Sequence, residues 1–154
     1  MPEYIHVKSE PEYEAASLLF KEYAAWLDID LSFQKFSEEL LTLKEMYGPP
    51  YGGIILAKTD HDFIGCIAIR KINADTAELK RMYVRTTDQQ QGTGKALLEA
   101  ALELAQKYGY QKIQLDTLGK MEPAIRLYKR YGFYEIPAYY YNPEKTVIYF
   151  EKIL

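Results

Sequence analysis

Met82-Tyr83-Val84-Arg85-Thr86-Thr87-Asp88-Gln89-Gln90-Gln91-Gly92-Thr93-Gly94-Lys95 joins the end of a strand to the start of a helix through a polar loop closed by two glycines. The helix runs from Thr93 to Tyr108, with Leu97, Leu98, Ala101, Leu102 and Ala105 on one stripe and Gly109 at the expected C-terminal position. Glycine at 92 and 94 removes side chains where a ligand must approach the backbone closely. The first helical turn then presents unpaired N–H groups at the positive end of the helix dipole, a site suited to a pyrophosphate, with Lys95 as an added cation. Leu97 stands where the dinucleotide fingerprint needs a third glycine, and no Gly-Lys-Ser/Thr follows a four-residue gap, so neither that motif nor a Walker loop is present. Taken alone, the two glycines are equally compatible with a helix start that holds no ligand.

On either side of this stretch the hydrophobic period switches between two and 3.6. Gly53–Lys58 and Phe63–Lys71 alternate around the polar turn Thr59-Asp60-His61-Asp62 as a β-hairpin, and Ala77–Arg85 adds a third strand. Further upstream, Tyr4–Val7 reads as a strand and Pro11–Leu27 as a helix capped by Ser9. One continuous helix is expected from Phe33 to Tyr47, capped by Ser32 and stopped by Gly48-Pro49-Pro50, with Phe36, Leu40, Leu43 and Tyr47 on one face. Downstream, a strand over Lys112–Leu118 precedes a helix over Pro123–Tyr131 closed by Gly132. Phe133–Ile136 and Thr146–Lys152 read as closing strands around the loop Pro137–Lys145. The order β-α-α-β-β-β-α-β-α-β-β contains one right-handed parallel crossover, through Thr93–Tyr108. The expected fold is α/β, a mixed and mostly antiparallel central sheet with helices on both faces, forming one domain over residues 1–154.

Composition narrows the function. With 154 residues, 48% of them hydrophobic, the chain can bury a substantial core. A formal net charge of −3 argues against nucleic acid as the main partner, and no apolar run approaches the length of a membrane span. The charged, alternating segment Met1–Glu10 lacks the apolar stretch of a secretory signal. One cysteine, Cys66, allows no internal disulfide, and no Cys/His cluster suggests zinc, so a cytoplasmic protein without a metal is expected. Cys66 lies in the apolar strand segment Ile64–Ile69 and reads as core. The 15 tyrosines crowd toward the end of the chain, most as half-buried packing residues and some as candidates for a pocket wall.

Gln89-Gln90-Gln91-Gly92-Thr93-Gly94 resembles the acyl-CoA signature of the GNAT (Gcn5-related N-acetyltransferase) family, Gln/Arg-x-x-Gly-x-Gly/Ala. Ala124-Ile125-Arg126-Leu127-Tyr128-Lys129-Arg130-Tyr131-Gly132-Phe133 resembles that family's second signature, Ala-x-x-Leu-Tyr-x-x-x-Gly-Phe. The two lie in the right order with the right elements between them, and the likeness spans roughly Gly53 to Leu154. It implies an acetyltransferase with acetyl-CoA as cosubstrate. Backbone amides from Gln90 to Lys95, with Gln89 opening the motif, would cradle the pyrophosphate. Met82, Tyr83 and Val84 would pair with the pantetheine arm like an added strand, at a point where two strands splay apart. A backbone N–H near Met82 would hold the developing oxyanion. The chain departs from the family at Thr86, where proline is usual, and at Met121, where an asparagine normally helps to hold the cofactor arm.

Acyl transfer to an amine needs a proton removed from the ammonium and one supplied to the departing thiolate. Tyr128 occupies the family's tyrosine position as general acid, and reads otherwise as an amphipathic core residue. Glu78 matches the catalytic glutamate of some family members. Strand alternation places it on one face with Lys80, Met82 and Val84, although Glu78 and Lys80 read equally well as a solvated pair at a strand end. His61, in the hairpin turn far from the motif, and His6, which reads as an ordinary residue of the first strand, are poor candidates for the base. The acceptor site is expected from the leading helices (Phe33, Gln34, Glu38) and the late loop (Tyr139, Tyr140, Asn142), a set suited to a small-molecule amine. Transfer to a protein or peptide amine, and a non-catalytic acyl-CoA-binding module, are the alternatives. Sheet edges and aromatic surface leave room for a homodimer.

Overall fold

The computed structural model describes residues 2–28, 35–85 and 92–154. Phe33 and Gln34 of the expected acceptor site, and Gln89, Gln90 and Gln91 of the glycine-rich loop, lie outside the described residues.

Seven strands form one sheet in the order β1-β2-β3-β4-β5-β7-β6. They are β1 (Glu3–His6), β2 (Gly53–Lys58), β3 (Phe63–Asn73), β4 (Thr76–Val84), β5 (Lys112–Leu118), β6 (Tyr134–Ile136) and β7 (Val147–Ile153). β4 and β5 run parallel through the crossover helix α4 (Thr93–Lys107), and the other neighbours are antiparallel, as the sequence predicts. α4 and α5 (Glu122–Arg130) cover one face, where Leu97, Leu98, Ala101 and Ala105 meet Ile67, Ile69, Leu79, Ile113 and Leu115. The other face packs α1 (Glu10–Leu27) and α3 (Leu43–Tyr47) through Leu19, Phe20 and Tyr47 against Ile54, Leu56, Cys66 and Ala68.

Ser9 caps α1 as its sequence predicts. Its hydroxyl accepts from the Glu12 amide, and the Glu12 carboxylate accepts from the Ser9 and Lys8 amides, forming a reciprocal capping box. Ser9→Ala is expected to cost about 1 kcal/mol, read as a lower urea midpoint at unchanged slope.

The expected continuous helix over Phe33–Tyr47 is instead two short ones among the described residues, α2 (Phe36–Leu41) and α3. Thr42 breaks the run at φ −131°, ψ 35°, and its hydroxyl turns back to donate to the Glu38 carbonyl at 2.8 Å. Such local side-chain bonding competes with helix continuation. The apolar spacing survives the break, so Leu43 and Tyr47 are buried where the pattern puts them.

β4 carries a bulge. Ala68 pairs with Lys80 and Cys66 with Tyr83, so β4 has one residue more than β3 over this interval, and Arg81 takes the left-handed conformation at φ 58°. Three contacts hold it there. Arg81 Nε and Nη2 donate to Glu39 of α2 at 2.9 and 2.7 Å, and Cys66 Sγ donates to the Arg81 carbonyl at 3.2 Å. Burial pushes the Cys66 thiol well up, in keeping with a core cysteine.

Candidate active site

β4 and β5 pair only at Thr76–Lys112, Ala77–Ile113 and Glu78–Gln114. Beyond Glu78 they diverge, at the place where the bulge bends β4. A narrow cavity of about 50 Å³ opens between Leu79–Met82 on β4 and Leu115–Leu118 on β5, closed by Tyr23 and Leu27 of α1, Tyr128 of α5 and Asn142. It shares Leu27, Met82, Met121 and Ala124 with a wider groove of about 620 Å³. That groove runs past Tyr83 and Val84 to Gly92, Gly94 and Lys95 at the start of α4, and to Lys120, Arg126 and Arg130 on the other side.

The groove fits an acyl-CoA in size and charge. Its volume is that of an ordinary cofactor site. Gly92 lies at φ 80°, a conformation that favours glycine, and a Cβ added at either Gly92 or Gly94 would meet no atom of the described residues within 4 Å. The space beside these glycines therefore faces the groove rather than the core. Lys95, Lys120, Arg126 and Arg130 set positive charge along it, which suits phosphates. Lys120 also donates to the Leu27 carbonyl at 2.8 Å, tying the end of α1 to the β5–α5 turn at the groove wall. Thr93, between the two glycines, is buried at the start of α4.

Met82, Tyr83 and Val84 line the groove, but the alternation expected for β4 does not hold. The Arg81 bulge shifts the phase, so Met82 and Val84 pack with Ala77 and Leu79 on the α4 side, whereas Glu78 and Lys80 face the α1 side. Placing Glu78, Lys80, Met82 and Val84 on one face is therefore corrected.

Glu78 is buried at 1% exposure, which also corrects its reading as a solvated pair with Lys80. Its Oε1 accepts from Arg70 Nε at 2.7 Å and its Oε2 from the Tyr139 hydroxyl at 2.7 Å. Burial pushes its carboxyl up, but Lys80 and Arg70 beside it, with the two hydrogen bonds, outweigh that and hold it below the ordinary glutamate value. Tyr128 lies at the cavity wall, 5% exposed, its ring against Phe133 and Phe150. Burial pushes its phenol well above 10, so it stays protonated.

The late loop reaches the same face. Besides the Tyr139 bond to Glu78, the Tyr140 hydroxyl and Asn142 Nδ2 both donate to Asp116 Oδ2, the latter at 2.8 Å, and the Tyr149 hydroxyl donates to the Tyr140 carbonyl at 2.8 Å. Tyr139, Tyr140 and Asn142 thus converge on Glu78 and Asp116. Glu38 does not join them. It is exposed on α2, and the buried carboxylate of that helix is its neighbour Glu39, bound to Arg81. Sequence reasoning also missed Asp116, Lys80 as a wall residue and the cations of α5. Asp116 had a signal, because Ile113 and Leu115 alternate inward and leave Gln114 and Asp116 on the opposite face.

The acetyltransferase (GNAT) family model matches residues 16–133. An N-acetyltransferase of Schizosaccharomyces pombe is 34% identical over 145 residues, covering 93% of this chain and 89% of its own. Among solved structures, an acetyltransferase of Streptococcus agalactiae superposes with a TM-score of 0.80 at 24% identity, covering 99% of this chain and 98% of that one. The PaiA N-acetyltransferase of Thermoplasma acidophilum, solved in complex with coenzyme A, superposes with a TM-score of 0.77 at 20% identity, covering 100% and 99%.

Proposed function

Because the chain belongs to the GNAT acetyltransferase family and is an acetyl-CoA-dependent N-acetyltransferase, we propose that it moves the acetyl group directly to the primary amine of a small molecule. The observation that carries this is the divergence of β4 from β5 beyond Glu78, where a narrow cavity at Tyr128 runs into the wider groove at Gly92 and Gly94. The groove takes the pantetheine arm and phosphates. The Met82 amide, just past the bulge, holds the thioester oxygen as it gains charge. Tyr128 protonates the leaving thiolate. Glu78, with both oxygens engaged, keeps Tyr139 and Arg70 in place at the closed end. The loop from Tyr139 to Asn142 folds over this end through Glu78 and Asp116, which favours a compact acceptor over an extended peptide. Release of free CoA thiol across a panel of amines, polyamines, amino acids and short peptides tests the assignment. Turnover with one class of small amine supports it, and turnover with peptides alone overturns the small-molecule acceptor.

Gly94→Val separates the groove from the fold. A Cβ at 94 meets no atom of the described residues within 4 Å, and replacing glycine near the start of α4 does not harm the helix, so the urea midpoint is expected to stay or rise. The same side chain fills space that a pyrophosphate needs at the amides of the first turn. Acetyl-CoA binding is expected to weaken by about tenfold or more, as for loss of one or two charge-assisted hydrogen bonds, in a calorimetric titration.

A further inference from the structure

Arg85 follows directly on β4 and ties three elements together. Its Nε and Nη2 donate to Glu22 Oε1 and Oε2 of α1 at 2.9 and 2.7 Å, a fork on a carboxylate that sets both spacing and orientation. Its Nη1 donates to Asp62 Oδ2 of the β2–β3 turn at 2.5 Å, and its own amide donates to the Ile64 carbonyl at 2.9 Å. Neither Arg85 nor Glu22 lines the acyl-CoA groove, but their neighbours do: Trp26, one helical turn beyond Glu22, Leu27, and Tyr83 of β4. The Tyr83 ring centroid lies 5.7 Å from that of Trp26 and 5.9 Å from that of Tyr23. Burial, and after it the adjacent Glu22 charge, push the Tyr83 phenol up. Core packing does little to hold this part of α1. Phe20 and Leu27 are fully buried, the residues between them are only partly buried or exposed, and Trp26 itself is 41% exposed. The polar ties that remain are the fork at Glu22 and the Lys120 bond to the Leu27 carbonyl.

We propose that Arg85 is a positioning residue for acyl-CoA, its fork on Glu22 holding the Trp26 wall of α1 at the distance from Tyr83 that admits the pantetheine arm. The inference rests on the groove being the acyl-CoA site. Ion pairs at this exposure, 25% for the Arg85 side chain and 31% for Glu22, contribute little to stability, so the effect falls on the shape of the groove and not on the fold. Charge and position make opposite demands on Glu22. Acyl-CoA is an anion. If Arg85 acted only as a nearby cation, removing it would weaken binding, and removing the Glu22 charge would strengthen it. If the pair positions the wall, losing either member loosens Trp26, and both losses weaken binding. Lysine at position 85 keeps the charge but has no fork, so it does not substitute.

The test titrates acetyl-CoA by calorimetry into the wild type, Arg85→Met, Arg85→Lys, Glu22→Gln and the Arg85→Met/Glu22→Gln double variant. Emission of Trp26, the chain's one tryptophan, reports the wall in the unliganded proteins, and urea unfolding reports the fold. All three single variants are expected to weaken acetyl-CoA binding by about two- to thirtyfold, the span for residues that act on a site through a connected network. Their Trp26 emission shifts to the red as the indole meets more water, and their urea midpoints stay close to that of the wild type. The double variant is expected to bind no worse than the weaker single one, because the two residues act as one unit. Tighter or unchanged binding by Glu22→Gln overturns the proposal and leaves Arg85 acting through its charge alone. Wild-type affinity in Arg85→Lys, losses that add in the double variant, or weakened binding with Trp26 emission unmoved also overturn it. A fall in binding matched by a fallen urea midpoint places the pair in the fold and overturns it as well. If the wild type binds acetyl-CoA, each of these failures leaves the groove assignment standing. If the wild type does not bind it, that assignment falls and takes this one with it.

Discussion

Replacing Tyr128 with Phe is expected to lower kcat by about 10²–10⁴-fold, the range for loss of a positioned general acid, while leaving acetyl-CoA affinity close to that of the wild type. The ring is held independently of its hydroxyl. Its centroid lies 5.5 Å from that of Phe133 and 6.4 Å from that of Phe150, and the residue is 5% exposed. Phenylalanine therefore keeps the packing and removes one oxygen at the cavity wall. Thiolate is the charge that must be neutralised as the thioester breaks, and a phenol kept protonated by burial is available for that at any working pH. For the same reason the wild-type phenol adds no limb to the pH–rate profile below about pH 10. The measurement is single-turnover CoA release with kcat and KM separated, because a residue acting only in the transition state lowers kcat and kcat/KM together. If Tyr128 were only a core residue, kcat would hold.

The sequence specified the elements far better than the site. Gly53–Lys58 and Lys112–Leu118 are strands with the expected bounds, and the stripe on α4 faces the core as its period requires. These follow from patterns that local spacing records directly. The glycines and Tyr128, singled out through the resemblance to the two family signatures, line the groove and the cavity. What was not visible depends on breaks in periodicity. A bulge at Arg81 has no local signature in Leu79-Lys80-Arg81-Met82, because any of these residues suits a strand, and one extra residue reverses every assignment of face beyond it. The same blindness affected Glu38 and Glu39. Two adjacent glutamates look alike in composition, and only the break at Thr42 and the reach to Arg81 decide which one is buried. Asp116, Tyr139 and Tyr140 are brought together by sheet order, with β7 inserted between β5 and β6, which no nearest-neighbour pattern shows.

Glu39→Ala is expected to destabilise the fold by about 3–5 kcal/mol, the cost of leaving one member of a buried ion pair behind. The two side chains are 4% and 1% exposed and form two hydrogen bonds, so Arg81 would keep its charge in a dry site with no carboxylate facing it. The pair also pins an arginine in a left-handed conformation that costs about 1–3 kcal/mol on its own. Without Glu39 that strain is free to relax by undoing the bulge, which lies where β4 runs on past its last pairing with β5 at Glu78. Glu39→Leu combined with Arg81→Met removes both charges and fills the volume, so it is expected to regain most of the lost stability. Acetyl-CoA binding, however, should not return with it, because methionine has no fork to hold the bulge. Urea unfolding gives the first comparison and calorimetry the second. A double variant that recovers stability and binding together would mean that the bulge holds itself, and that Glu39 serves the fold and not the cavity.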